Sequence, residues 1–350
     1  MPISIEQHKT YIHDALVHAG ANPRHAAVTA DALCLADSWG TFTHGSKLLK
    51  GYTRRIRAGG CRSDVDPQIV NDGPSFALID GNSTLGQVAG TFAMETAIEK
   101  ARETGIAYCG VFNSCHLGAV GVYPTMAARN DMIGIAMGND IPSVAAPGSK
   151  TAVLGTNPFS YSVPAGKHHP ILLDMAMSTV AGGKVYAANQ LGNPIPNNWI
   201  VDRDGKATTD SSLYPADAAL QPLGGYKGYG LGLMIESLSG LLSGANLTWD
   251  IKAWMTADPA GPTHHGAAFL AFNVGAMQNL DSFKERVDGL IDQIHETPTA
   301  DGVDQLFVAG EFEWNRYQKS VDSGIDLPAD VIAALNAMAD EIEFRRPNNT

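Results

Sequence analysis

The chain has 350 residues, of which 44% are hydrophobic and 17% charged, with a formal net charge of -12. Such a composition excludes a disordered chain, and the length exceeds what one hydrophobic core usually organises, so two domains are expected. The acidic balance excludes a basic face for nucleic acid or for an anionic membrane surface.

Residues 4 to 58 read as helices, with apolar side chains at helical spacing at Tyr11, Ile12, Ala15, Leu16 and Ala19, then through Ala27, Val28, Ala32, Leu33 and Leu35. Gly20 to Pro23 breaks the pattern as a C-cap glycine followed by a proline near a helix start. The N-terminus lacks the charged and apolar regions of a secretory signal, which points to the cytoplasm. At Phe76 the pattern changes to a short strand running into Asp80-Gly81, then an amphipathic helix from about Gln87 to Arg102. Short strands alternate with helices beyond it: Ile106 to Phe112, a helix near Ala119 to Arg129, Ile133 to Met137, Pro158 to Val163 and Ile171 to Leu173. The middle of the chain is therefore of the α/β class. Residues 188 to 222, rich in Asn, Pro, Gly and Asp, are expected to form a long ordered surface excursion. Leu231 to Leu242 is too short and too interrupted by Glu236, Ser237 and Ser239 for a membrane span of ~20 apolar residues, and reads as a buried helix. Ser282 to His295 and Ala329 to Ile342 are helical again and are expected to pack on the N-terminal helices. The resulting division is 1–75 with 275–350 as a helical domain and 76–274 as an α/β domain.

Several segments can carry chemistry. The order of strand, G-x-G-x-x-G and distant acid that marks a classical dinucleotide fold is absent. Gly224-Gly225-Tyr226-Lys227-Gly228 leads instead into the Leu231 helix, where free N–H groups and Lys227 can hold phosphate; a tight turn is the plainer explanation. His116 follows a strand end, where it can exchange a proton with a carbonyl oxygen or simply cap the next helix. Thr43-His44 begins the helix carrying Tyr52; either Thr43 caps it and His44 sits where free N–H groups favour an anion, or the stretch is a plain cap before a solvated basic face. Asp174 closes an apolar strand and can accept bonds from ribose hydroxyls or cap its own turn. Cys34, Cys61, Cys109 and Cys115 form no C-x-x-C pair, and His168-His169 and His264-His265 are adjacent pairs whose side chains diverge, so no metal site is expected.

In their joint order these segments resemble the malate/L-lactate dehydrogenase family that is distinct from the classical enzymes and includes ureidoglycolate dehydrogenase and cyclic imine reductases. The stretches that carry the resemblance are Thr43-His44-Gly45 with Tyr52, Asp80-Gly81 through Gly86-Gln87, Asn113 to Gly118, Gly155-Thr156-Asn157-Pro158, Asp174-Met175-Ala176 with Gly183-Lys184, Gly224 to Gly230, and Gly310-Glu311. The resemblance implies a nicotinamide-binding domain of non-Rossmann type with a largely antiparallel sheet, a helical domain from both chain ends, and a homodimer. It implies hydride transfer between NAD or NADP and a small 2-oxo or 2-hydroxy acid, with His116 and His44 catalytic. Thr43, Lys47 and Tyr52 would face the substrate, and Asp174, Met175, Ala176, Lys184, Gly224, Gly225, Lys227 and Gly228 the cofactor. The absence of a basic residue in Ala181-Gly182-Gly183 leans the cofactor toward NAD.

The departures are as specific. Many relatives carry an arginine where this chain has Leu48, a residue that grips a substrate carboxylate with two parallel hydrogen bonds. Either Lys47, Lys50 or a nearby arginine replaces it, or the substrate lacks the usual 2-oxo carboxylate. Gly138 replaces a familiar threonine and Asp140 a small residue. Reduction of a cyclic imino acid is therefore a second reading, and a cofactor-binding protein without catalysis a third.

Overall fold

The computed structural model describes residues 2–344. Helix α1 (Ile5–His18) is started by a capping box between Ser4 and Gln7, and α2 (Pro23–Ser38) by Asn22 and the proline itself; α3 (Leu49–Ala58) stops at Gly59 in the left-handed region. Strands β1 (Gln68–Gly73) and β2 (Phe76–Asp80) precede α4 (Gly86–Thr104), β3 (Ile106–Ser114), α5 (Val122–Ala128) and β4 (Met132–Gly138). Then come β5 (Val144–Ala145), β6 (Ala152–Leu154), β7 (Phe159–Val163), β8 (Ile171–Met175) and α6 (Gly182–Gln190). The chain continues through β9 (Ile200–Asp202), β10 (Ala207–Thr208), β11 (Ala218–Leu220), α7 (Tyr226–Glu236) and β12 (His265–Asn273). It ends in α8 (Val274–Met277), α9 (Leu280–His295), α10 (Glu311–Ser323) and α11 (Ala329–Ile342).

The large sheet has the order β1-β2-β3-β12-β4-β7-β8, and only its β2–β3 pairing is parallel. This is the largely antiparallel α/β architecture expected. Helix α4 lies against it through Ala89, Ala93, Ala97 and Ala101, whose four-residue spacing forms a stripe of minimal side chains beside Ala77, Ala107 and Val111. A second core joins α1, α2, α3 and α11 and reaches Leu85, Cys115 and Trp254. The site lies where these two cores meet.

Three expectations need correction. Residues 188–222 are no mere excursion, because β9, β10 and β11 join β5 and β6 in a five-stranded sheet over the core of Val144, Val180, Val185, Ile195, Ile200 and Leu220. The Leu231–Leu242 segment is buried on one face only: α7 passes into a π turn at Ser237–Leu241, Ile235, Glu236 and Ser239 face inward, and Leu231, Leu233, Met234, Leu241 and Leu242 are exposed. Of the C-terminal helices, α10 and α11 pack on the N-terminal ones, whereas α9 holds the Gly166–His168 turn through Asp288 and Asp292. Strand β1, on the N-terminal side of the composition boundary at residue 76, pairs with β2 inside the large sheet.

Candidate active site

The antiparallel register brings distant residues to one edge of the large sheet. His265 opens β12 opposite Ser114 at the end of β3, and Ala267 lies opposite Gly138 at the end of β4. His265 is thereby set between the segments carrying Cys115-His116 and Asn139-Asp140. On the far side, β8 ends in Asp174-Met175 beside the start of β7. With Thr41, Thr43 and His44 from the helical side, these residues enclose a cavity of ≈ 260 Å³.

His116 occupies a defined orientation. Its backbone is crossed by the start of α4 at Gly86, where a Cβ would lie 2.3 Å from the His116 carbonyl oxygen, so only glycine fits. Nδ1 lies 3.0 Å from the Tyr52 hydroxyl and accepts the Gly118 N–H at 3.2 Å. Tyr52 in turn accepts a hydrogen bond from Gln87 Nε2 at 2.8 Å, which directs its own proton toward His116. Trp254 stacks on Tyr52 (4.9 Å between centroids, 19°) and on His116 (4.6 Å, 15°), with His44 5.8 Å from His116 and nearly parallel. Two donors at Nδ1 favour the tautomer with the proton on Nε2, the ring nitrogen to which no described residue bonds.

Electrostatics sharpen this picture. Burial, reinforced by His44 and His265 and opposed by Asp140, pushes the His116 pKa down to about 3. His44 is lowered by the same burial, with Asp140 again opposing. Desolvation by the cavity walls pushes the carboxyl of Asp174 up to about 6, although the residue as a whole is exposed and the Gly121 N–H donates to its Oδ2 at 2.7 Å. Asp140 is half-buried, yet it lies below the usual carboxylate range because His265 Nε2 bonds its Oδ1 at 3.1 Å, with the Ile141 N–H on the same oxygen.

Of the residues singled out from sequence, Thr43, His44, His116, Asp174, Met175 and Ala176 line the cavity. Tyr52 does not; it is fully buried behind His116. Lys47 reaches away from the cavity to Asp330 at 2.7 Å. The Gly224–Gly228 loop lies against the residues that follow Ala176, since Leu223 N–H donates to the Met177 carbonyl at 2.9 Å and Ser178 bridges Pro222. Gly224 and Gly225 both have positive φ (58° and 67°), and a Cβ on either would meet only open space. They form an uncovered backbone turn ahead of α7, beside Lys227, which is exposed; Lys184 is also exposed, in the first turn of α6. Gly228 is buried and closes the turn through its N–H to the Leu223 carbonyl.

Sequence reasoning gave no role to Gln87, Trp254, His265 or Glu236. The charge of Glu236 was read only as an interruption of an apolar run. It is buried and accepts from Asn157 Nδ2 at 2.8 Å, Asn139 Nδ2 at 3.3 Å and the Thr248 N–H, tying α7 to the strand ends at the cavity. The His264-His265 pair does diverge: His264 takes a positive φ and His265 turns into the site. Among the described residues no cluster of three or more His, Cys, Asp or Glu has a metal-binding arrangement, all four cysteines are buried and free, and no helix is long and apolar enough to cross a membrane.

The sequence pattern of the family described as malate/L-lactate dehydrogenase matches residues 3–336. The malate/(S)-sulfolactate dehydrogenase of Methanothermus fervidus is 36% identical over 98% of this chain and 99% of its own. The Δ1-pyrroline-2-carboxylate/Δ1-piperideine-2-carboxylate reductase of Pseudomonas putida is 29% identical over 79% of this chain and 80% of its own. Among solved structures, malate dehydrogenase from Entamoeba histolytica superposes with a TM-score of 0.92 at 31% identity, covering 99% of both chains. The order of motifs, the antiparallel sheet and these likenesses along the chain agree: the protein belongs to the malate/L-lactate dehydrogenase family of oxidoreductases.

Proposed function

We propose that the chain catalyses reversible hydride transfer between a nicotinamide dinucleotide and the carbonyl carbon of a small 2-oxo acid, the reverse substrate being the 2-hydroxy acid, with His116 as acid and base. The observation that carries this reading is the Tyr52–His116–Gly118 arrangement, which occupies Nδ1 and leaves Nε2 as the ring nitrogen available to a substrate in the cavity.

The residues present fit such a cofactor. The Oδ1 of Asp174 takes no bond from a described residue and suits ribose hydroxyls, while the uncovered Gly224–Gly225 turn, the start of α7 and Lys227 suit a pyrophosphate. Met175, Ala176 and Lys184 flank that path, and with no basic residue in Ala181-Gly182-Gly183 we read the cofactor as NAD. Bound there, the nicotinamide supplies or accepts the hydride. His116 does the proton work. It is neutral in the free protein, and a substrate carboxylate or the negative charge that builds on the carbonyl oxygen beside it raises its basicity. The doubly protonated ring gives its Nε2 proton to that oxygen as the new C–H bond forms and keeps the other on Nδ1, with the Tyr52 hydroxyl turned to accept it; in the oxidative direction Nε2 takes the hydroxyl proton back. His44 and Thr43 line the same cavity and position the substrate.

His116→Ala tests this reading. Turnover is expected to fall ~100-fold or more while NADH binding, followed by fluorescence, stays within a few-fold of the parent. Near-normal turnover overturns it. Reduction of a cyclic imino acid is favoured as the second reading by one observation, a cavity lined by no Lys or Arg among the described residues. Parallel assays with 2-oxo acids and cyclic imino acids, each with NADH and NADPH, separate the two, and His116-dependent turnover of any of them rules out a cofactor binder without catalysis. We also read the protein as a homodimer, on the exposed apolar segment around α7.

A further inference from the structure

The charges around the cavity do not suit a substrate with two anionic groups. Its lining holds the carboxylates of Asp140 and Asp174 and the rings of His44, His116 and His265, and no lysine or arginine among the described residues. The basic side chains nearby are engaged elsewhere. Lys47 bonds Asp330, Lys50 and Arg54 pair with Glu341, and the buried Arg55 guanidinium donates to the carbonyl oxygens of Ala253, Trp254 and Gly261. Leu48 is buried within the helical core. None of them replaces an arginine at position 48.

Asp140 stands out among the lining residues. Its Oδ1 is taken by His265 Nε2 and the Ile141 N–H, while its Oδ2 receives no bond from a described residue. His265 Nδ1 is buried with no partner, so a second proton on that ring would be an unpaired buried donor. The pair thus presents an acceptor oxygen, backed by a fixed donor, to whatever occupies the cavity.

We propose that the Asp140–His265 pair is a specificity determinant: the group of the substrate that faces Asp140 is a neutral or cationic hydrogen-bond donor, a hydroxyl or a protonated imine nitrogen, and not a second carboxylate or sulfonate. This rests on the reading of the cavity as the site of His116-dependent hydride transfer. An anion placed against this half-buried carboxylate gains no partner and meets like charge, whereas a donor completes the valence of Oδ2.

The test is kcat/KM for the intact protein and for Asp140→Asn with four substrates and saturating NADH: oxaloacetate, pyruvate, hydroxypyruvate and Δ1-piperideine-2-carboxylate. The protein is expected to favour hydroxypyruvate or the cyclic imine over oxaloacetate by about 100-fold or more, and Asp140→Asn to narrow that ratio at least about tenfold. The hydroxypyruvate and imine arms show which donor is read. Oxaloacetate turned over as well as the donor-bearing substrates, or an Asp140→Asn variant that slows all four equally, overturns the proposal. So does a change confined to the KM for NADH, which would place Asp140 on the cofactor. If none of the four reacts, binding to the NAD-loaded protein decides: L-proline, which carries a cationic nitrogen and one carboxylate, is expected to bind more tightly than malonate, and the reverse order overturns the idea. A fully active His116→Ala variant would instead remove the reading beneath it, whatever Asp140→Asn does.

Discussion

The Tyr52 hydroxyl and His116 Nδ1 lie 3.0 Å apart behind the cavity, and Gln87 Nε2 donates to that same hydroxyl at 2.8 Å. The chain of bonds fixes both the plane of the imidazole and the nitrogen that carries its proton. Tyr52→Phe keeps the stacking on Trp254 and deletes only the hydroxyl. It is expected to lower kcat about tenfold with KM changed less than about threefold, since the ring is disoriented but the cavity is intact. Steady-state kinetics check this, and an equal loss in KM alone would place Tyr52 against the substrate.

Gln87 extends the argument to pH. Its Oε1 is buried without a partner, so a carboxylate in its place offers the Tyr52 O–H an acceptor and turns the phenol oxygen toward Nδ1 as an acceptor in its own right. The imidazolium is then favoured. With His116 at about 3 in the parent, oxidation, which needs the neutral ring, is expected to hold its rate to low pH; in Gln87→Glu the acid limb of kcat/KM should move up by about one unit or more. Gln87→Leu should slow turnover without raising that limb. Profiles measured from pH 4 to 9 distinguish the two.

How much of this was legible in the sequence follows from the range of each signal. Helix α1 and helix α4 announce themselves by periodicity, and β3 with His116 at its end by an apolar run closing on a polar turn, all within about 20 residues. The β9–β11 sheet was missed because strands of two or three residues in a Pro- and Gly-rich stretch have no period to read, and their partner β5 is more than 50 residues away. The run from Leu231 to Leu242 is apolar but for Glu236, Ser237 and Ser239, which reads as burial, yet in the fold Glu236 and Ser239 face inward while most of its leucines face outward. The Asp140–His265 contact spans 125 positions and exists only because β12 pairs antiparallel with both β3 and β4.

If Asp174 holds the ribose as proposed, cofactor affinity depends on pH. Its carboxyl is raised to about 6 by desolvation from the cavity walls, so the free protein binds a proton there as pH falls below that value. Ribose hydroxyls at the proposed site would donate to the carboxylate and stabilise the ionised form, so binding would expel that proton and weaken on the acid side. Between pH 7.5 and 5 the Kd for NADH is expected to rise by up to about tenfold. Asp174→Asn should bind more weakly at pH 7.5 and lose the dependence, as measured by fluorescence titration. A variant that retains the acid weakening would assign it to another group.

Several large apolar residues around α7 lie exposed together. Leu231, Leu233 and Met234 are each at least 40% exposed, and Leu241 and Leu242 more than half, with Trp249 nearby at 67%. Apolar surface withdrawn from water contributes about 25 cal/mol per Å², so pairing of two copies across this face, as proposed, would be favourable. Sedimentation of the intact protein at micromolar concentration is expected to give a dimer, and the double substitution Leu241→Glu with Leu242→Glu a monomer that retains its secondary structure by circular dichroism. Each glutamate brings a charge that must lose its water if the face closes, which costs more than the leucine contacts return. A wild-type monomer, or a dimer indifferent to both glutamates, would separate the oligomer from this segment.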